Sequence, residues 1–466
     1  MLRARAAALS AWADRPHRKP LVLRGARQVG KSWLVRQWGA ERFGRVVEVN
    51  LERRPEMAAC FSDNDPTVVL QRLELLLGQR ISADGSALLF LDEIQAVPEV
   101  LAKLRWFAEE LPGLPVIAAG SLLDFTLADH RFSMPVGRMS YLHLEPMGFI
   151  EFCHACGEEP LARWLEAGLS LAAIRAGVPA EVHARAGALF RSWVLVGGMP
   201  AAVEAFVRER SYLPVAEVHR GLLATIRDDF AKYADRVHHR RLTAVMDSVP
   251  AQLGQKFTYA KVDRDERAAG LRQALDLLAL ARVCHRVVAV PGQGLPLGAG
   301  ADPRTTKVIH LDVGLVSTAL RLDLAALERA EDIDLVNAGA VAEQAVGQLL
   351  RLIGPADEDP ALWYWSREAR SSSSEVDYLV APTAHVLPIE VKAGSGGAMR
   401  SLHVFMAERT LAWAVRFNSA PPQVQDIATT AATGRSANYR LLSLPAYAVE
   451  CLPRLAREMD AGTAPP

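Results

Sequence analysis

The first part of the chain alternates short apolar runs with helical spacing. Residues 20–24, Pro-Leu-Val-Leu-Arg, read as a buried strand. Trp33, Leu34, Val35 and Trp38 then fall at helical spacing, and Gly39 is expected to end that helix. Residues 87–91, Ala-Leu-Leu-Phe-Leu, read as a central strand with Asp92 and Glu93 at its carboxyl end. Pro98 opens a helix whose apolar positions are Val100, Leu101, Leu104, Phe107 and Ala108. Residues 115–119 form another buried run, ending at Gly120-Ser121. The expected class is α/β, with a parallel sheet in this part.

Further along, Leu242, Val245, Met246 and Val249 have helical spacing. A second helix is expected from Asp265 to Leu280, with Leu271, Ala274, Leu275, Leu278 and Leu280 inside. A strand from Arg282 to Val290 and a turn at Pro291-Gly292-Gln293-Gly294 follow. A helix from Gly339 to Ile353 packs through Val341, Ala342, Ala345, Val346, Leu349 and Leu350. Arg370 to Ser374 reads as a short flexible loop. Glu375 to Val380 alternates as a half-buried strand does, residues 381–385 turn, and Val386 to Val391 is a second strand.

Length and charge narrow the picture. A chain of 466 residues, half of them apolar, has room for about two to four domains. Formal net charge is zero, so contact with nucleic acid or an acidic surface has to come from a local patch. Five scattered cysteines suit a reducing cytoplasm better than a disulfide framework. Cys153 and Cys156 form a lone CxxC without the second pair that zinc requires. The arginine-studded start does not read as a signal peptide. No run approaches the roughly 18 apolar residues of a membrane helix.

Residues 25–32, Gly-Ala-Arg-Gln-Val-Gly-Lys-Ser, carry the pattern G-x-x-x-x-G-K-S between strand and helix. Gly25, Ala26, Arg27, Gln28, Val29 and Gly30 are expected to wrap phosphates with backbone N–H groups, aided by the positive helix end. Lys31 reaches β- and γ-phosphates, and the Ser32 hydroxyl ligates magnesium. Asp92 holds that magnesium through water, and Glu93 polarises the attacking water. The expected ligands are ATP and Mg2+. Ser121 is read either as a sensor of the γ-phosphate or as a cap of the next turn. Arg138 either completes a phosphate site, its own or a neighbour's, or lies on the surface.

The last hairpin raises a second question. With its turn near Thr383, Asp377 lies opposite Glu390, and Lys392 shares their face. Two neighbouring carboxylates repel unless something positive sits between them. One answer is a divalent cation, Mg2+ or Mn2+, with Lys392 orienting water or stabilising charge. The other is a solvated edge with an ordinary Glu–Lys pair.

Beyond these motifs, the stretches GARQVGKS, LLFLDEIQ, AAGSLL, VGRMSYLHLEPMGFIEF, VLVGGMPAAVEAF, IRDDFAKY, IHLDVGL, AGAVAEQAVGQLL and EVDYLV…PIEVK resemble bacterial and archaeal AAA-type P-loop ATPases. Members of that family often carry a C-terminal domain of unknown function. The resemblance spans roughly residues 15 to 415. It implies an ATPase domain over residues 1–190, a helical or winged-helix domain over 191–300 and a restriction-endonuclease-like domain over 301–466. The nuclease-like fold has a motif of acid, then acid-x-lysine, preceded by a helical glutamate. Asp377 and Glu390-Val391-Lys392 match it, and Glu343 is the helical candidate, flanked by Gly339 and Gly347. The proline usual before the first acid is replaced by Val376, which leaves cleavage and a non-cleaving shape both open.

The middle carries Arg236, His238, His239, Arg240 and Arg241, then Arg264, Arg267, Arg272, Arg282 and Arg286. Such a set can meet phosphates. Interleaved Asp263, Asp265 and Glu266 equally suit a protein contact. Three roles are therefore weighed: an ATP-driven machine that processes nucleic acid, a nucleotide-switched scaffold for DNA or protein, and a remodeller of protein partners. A cytoplasmic protein without membrane contact is expected in each, with assembly into a homo-oligomer left open.

Overall fold

A computed structural model of the chain describes residues 3–121, 123–128, 137–230, 238–322, 324, 338–369, 372–394 and 398–462. Arg236, Arg370 and Ser371, singled out above, lie outside them, as do Leu122, Val136, residues 231–233 and Ser395.

The first sheet has five parallel strands: β1 (Leu21–Arg24), β2 (Val46–Asn50), β3 (Leu88–Asp92), β4 (Val116–Ala119) and β5 (Ser140–His143), in the order β2-β3-β4-β1-β5. Strand side chains alternate between faces, and both faces here are buried. Leu21, Leu23, Leu88, Phe90, Ile117 and Ala119 enter the core that continues through the rest of the molecule. Val22, Leu89, Leu91, Val116 and Ala118 enter a separate core with Val100, Leu101, Leu104 and Phe107 of the helix Glu99–Glu110. Continuous apolar runs are what a two-sided parallel sheet demands.

The second sheet is mixed. It contains β6 (Cys284–Ala289), β7 (Asp302–His310), β8 (Leu362–Ala369), β9 (Ser372–Val380), β10 (Leu387–Val391), β11 (Trp413–Asn418), β12 (Gln423–Thr430) and β13 (Ser436–Pro445). Their order is β12-β13-β11-β10-β9-β8-β6-β7. β6 pairs in parallel with β8, so this strand of the middle region is built into the C-terminal sheet. The helix Arg400–Arg409 covers one face through Leu402, Phe405 and Met406. The helix Ala338–Leu350 covers the other.

Several expectations are corrected. Gly39 does not end its helix, which runs from Lys31 to Phe43 with Gly44 as left-handed cap. Its reason is packing, because a Cβ there would stand 2.8 Å from the side chains of Leu88 and Val46. Trp33 is off the buried face, 41 % exposed. The helix expected from Asp265 begins at Ala268, and Leu280 is only half-buried. Ser372, Ser373 and Ser374 do not form a loop, since β9 starts at Ser372. Of the two glycines flanking Glu343, only Gly347 makes a close approach: a Cβ there would meet Tyr378 Oη at 2.3 Å, and one at Gly339 would meet nothing within 4 Å.

Candidate functional site

The phosphate loop leaves the carboxyl end of β1, a central strand. Gly25 (φ 155°), Gln28 (φ 62°) and Gly30 (φ 91°) turn it with positive φ. A Cβ on Gly25 would lie 2.2 Å from Leu144 O, so only glycine fits. Lys31 is buried and donates from Nζ to Gly25 O at 2.9 Å and Ala26 O at 2.7 Å. Burial lowers its pKa to about 8, against the raising pull of Glu93 and Asp92.

Ser32 Oγ donates to Asp92 Oδ1 at 2.9 Å, and Asn50 Nδ2 donates to Asp92 Oδ2 at 3.2 Å. Burial pushes the Asp92 carboxyl up, and the Ser32 hydrogen bond opposes this. A hydroxyl and a carboxylate side by side are hard oxygen donors of the kind magnesium takes, so the residues fit that ion. Glu93 follows at φ 50°, a left-handed backbone that costs a non-glycine residue on the order of 1 kcal/mol. Gln95 Nε2 and Ser121 Oγ both donate to Glu93 Oε2, the latter at 3.4 Å. Arg27 Nε donates to Ser121 Oγ at 3.2 Å. The structure therefore brings together Arg27, Lys31, Ser32, Asp92, Glu93 and Ser121. Arg138 is placed elsewhere, donating to Glu109 Oε1 at 2.6 Å with half its side chain exposed.

One supporting residue was missed. Arg3 is buried and donates to Val29 O at 2.6 Å, Glu145 O at 2.7 Å and Glu151 Oε1 at 3.1 Å. It braces the back of the phosphate loop, yet in the sequence it is one of several arginines near the start. A cavity of about 510 Å3, lined by Arg3, Gly30, Trp33, Met147, Pro200 and Arg208, opens beside the loop.

The β9–β10 hairpin forms as expected, although it is not the last: β12 and β13 pair antiparallel after it. Leu387, Pro388 and Ile389 pair with Val380, Leu379 and Tyr378, and one step further this register sets Glu390 opposite Asp377. Val391 N donates to Asp377 Oδ2 at 2.7 Å, and Lys392 Nζ lies 2.6 Å from Glu390 Oε1. Glu343 joins the cluster from its helix, where its carbonyl accepts from Tyr378 Oη at 2.8 Å. A second positive charge among them, besides Lys392, is Lys307 of β7, which the sequence reading missed. Its Nζ lies 2.8 Å from Glu343 Oε1 and 3.6 Å from Asp377 Oδ1, and it also pairs with Glu375. Burial pulls the Lys307 pKa down, but Glu343, Asp377 and Glu375 outweigh it and hold it above the ordinary lysine value. Burial pushes the Glu343 and Glu390 carboxyls up to about 7. Glu390 Oε2 is buried without a hydrogen-bond partner. Among the described residues no group of three or more His, Cys, Asp or Glu is arranged to hold a metal ion. As arranged, the oxygens of Glu343 and Asp377 face an ammonium and do not fit a second cation there.

Four of the basic residues of the middle are engaged in ion pairs. Arg240 pairs with Asp263, Arg241 with Glu266 and Arg286 with Asp276. Arg282 is 5 % exposed, which removes it from any accessible basic patch. Its Nε donates to Asp124 Oδ2 at 2.6 Å and its Nη1 to Asp359 Oδ1 at 3.0 Å, with Glu145 Oε1 at 3.6 Å. Asp124 also accepts from Nε of Arg24, the last residue of β1, at 2.6 Å. A chain of buried ion pairs thus joins the strand before the phosphate loop to the start of β6. All five cysteines are free and buried. Among the described residues no helix is long and apolar enough to cross a membrane.

Comparison with known proteins places this geometry. Residues 17–153 match the family model described as AAA domain. Residues 187–326 and 338–421 match two domains of unknown function, DUF8612 and DUF4143. Among solved structures, a Walker-type ATPase of Pyrococcus abyssi is similar at 17 % identity, covering 68 % of this chain and 94 % of that one, with a TM-score of 0.42. The ORC1 protein of Aeropyrum pernix, solved with DNA, shows 16 % identity over 71 % and 95 % of the two chains, TM-score 0.27. DnaA from Aquifex aeolicus, solved with AMPPCP, shows 12 % over 60 % and 89 %, TM-score 0.28. At these values the likenesses assign no partner or activity. No curated protein matches the chain. Residues 17–153 form an AAA-type P-loop ATPase domain, and the segments that follow it match domains of unknown function.

Proposed function

We propose that this chain binds ATP with magnesium at residues 25–32 and hydrolyses it. The observation that carries the reading is the Ser32–Asp92 contact of 2.9 Å beside Glu93. The loop N–H groups and Lys31 hold the phosphates, and Lys31 turns from Gly25 O and Ala26 O to do so. Magnesium, when bound, would supply charge neutralisation to the phosphates, and Ser32 and Asp92 are the residues that would hold it. Glu93 orients the attacking water and takes its proton. The cavity at Gly30 and Trp33 has room for the nucleoside. Lys31→Ala tests the site: it abolishes turnover if Lys31 acts here, and unaltered turnover sinks the assignment.

Turnover is proposed to be passed to the rest of the chain through Arg24, Asp124 and Arg282, which makes the protein a nucleotide-switched scaffold. The helices His239–Ser248 and Ala268–Leu280 with the β6–β7 hairpin suit a winged helix, and exposed Arg264, Arg267 and Arg272 give it a DNA- or protein-facing side. The C-terminal sheet is read as a nuclease-like shape that does not cut, because the Lys307 ammonium already stands among Glu343, Glu375 and Asp377. Incubating plasmid and single-stranded DNA with the protein, ATP and Mg2+ or Mn2+ tests this. Cleavage that Lys392→Ala abolishes would restore the nuclease reading, with Asp377, Glu390 and Glu343 as ligands. A homo-oligomer acting in the cytoplasm belongs to the same proposal.

A further inference from the structure

Arg27 occupies the third position of the phosphate loop, where the sequence assigns it only a backbone role. Its side chain does more. Nε donates to Ser121 Oγ at 3.2 Å, and Nη1 donates to Asp229 Oδ1 at 2.7 Å. Ser121 Oγ in turn reaches Glu93 Oε2 at 3.4 Å. Asp229 caps the carboxyl end of the helix Leu213–Asp228. One guanidinium therefore joins the phosphate loop, the residue at the end of β4, the candidate general base and a helix of the following region. The Arg27 side chain is 26 % exposed and that of Asp229 10 %, so the pair is sheltered without being sealed.

We infer that the Arg27 side chain is a γ-phosphate ligand supplied by the same chain, and that it exchanges Asp229 for the γ-phosphate when a triphosphate binds. The inference rests on the ATPase reading above. Its chemical basis is that a guanidinium presents a fixed fork of donors that suits carboxylate and phosphate oxygens alike. Arg27 is already within one hydrogen bond of Ser121 and two of Glu93, so a γ-phosphate beside Glu93 is within its reach. Arg138, the other candidate cation, is turned to Glu109. In the hydrolytic step the water oxygen bonds to the γ-phosphorus while the bond from that phosphorus to the β,γ-bridging oxygen breaks. ADP leaves with the electron pair, Glu93 takes the water proton, and Arg27 offsets charge on the equatorial oxygens. Loss of the γ-phosphate returns Arg27 to Asp229, which reports the nucleotide state to the Leu213–Asp228 helix.

The test compares wild type, Arg27→Ala, Arg27→Lys and Asp229→Asn in full-length protein. Calorimetry gives affinities for ADP and a non-hydrolysable ATP analogue, and a phosphate-release assay gives kcat. For Arg27→Ala the expectation is ADP affinity within about threefold of wild type, lost preference for the triphosphate, and kcat down on the order of 10³-fold. Arg27→Lys recovers part of the preference. Asp229→Asn frees Arg27 and raises the triphosphate-to-diphosphate preference. If Arg27→Ala keeps kcat within about threefold, or weakens both nucleotides equally, Arg27 only shapes the loop and the inference is overturned. If Asp229→Asn lowers both affinities together, the exchange is overturned as well. Wild type that binds neither nucleotide overturns the ATP reading itself, and this inference with it.

Discussion

Lys307 Nζ stands 2.8 Å from Glu343 Oε1, in the middle of the carboxylates that the β9–β10 hairpin and its neighbouring helix bring together. Two carboxylates placed side by side need a positive charge between them, and here the chain supplies its own. Replacing Lys307 by Met leaves Glu343, Glu375 and Asp377 without their cation, at a cost of about 3–5 kcal/mol. Urea unfolding measures it. Millimolar Mn2+ is expected to restore part of that loss in the variant and to leave wild type unmoved. Equal stabilisation of both proteins by Mn2+ would contradict Lys307 as the resident cation.

Glu390 gives this cluster a pH signature. Its folded pKa of about 7 exceeds the ordinary glutamate value, so between about pH 4.5 and 7 the folded state keeps a proton that the unfolded chain releases. Wild type therefore loses stability as pH rises through that window. Glu390→Gln lacks this loss. Its stability relative to wild type should rise by on the order of 2 kcal/mol from pH 5 to pH 8 and level off above 7. Parallel stability profiles for the two proteins would show that Glu390 titrates normally.

Arg282 separates buried pairing from surface charge. Arg282→Ala removes one of the two arginines on Asp124, which keeps Arg24, and leaves Glu145 with Arg351. It is expected to cost about 1–3 kcal/mol, whereas Arg264→Ala at an exposed position should stay within about 0.5 kcal/mol. In DNA titrations the order reverses: Arg264→Ala weakens binding and flattens its salt dependence if the middle meets phosphates. Thermal unfolding of both variants checks the first half, and binding at two salt concentrations checks the second. Similar stability for the two variants would mean that the Arg282 ion pairs contribute little.

The phosphate loop, the β3 acids and the Asp377–Glu390 register were legible because each is local: spacing and turn length fix them within a few residues. Lys307 and Arg282 were not. Lys307 lies 36 residues before Glu343 and meets it only when β7 and the helix pack, and nothing in its own strand marks it as a counter-ion. Arg282 sits among other arginines in sequence, and its burial depends on Asp124, 158 residues away. Gly39 looked like a helix stop because the sequence does not show Leu88 and Val46 pressing on it. Long-range packing decided all three.

The most direct measurement is steady-state ATP hydrolysis by wild type and Glu93→Gln in magnesium, with nucleotide affinity measured alongside. The expected result is that Glu93→Gln binds ATP as wild type does while its turnover falls by about 100-fold or more. Equal turnover in the two proteins, with binding intact, would contradict the site built from Ser32, Asp92 and Glu93.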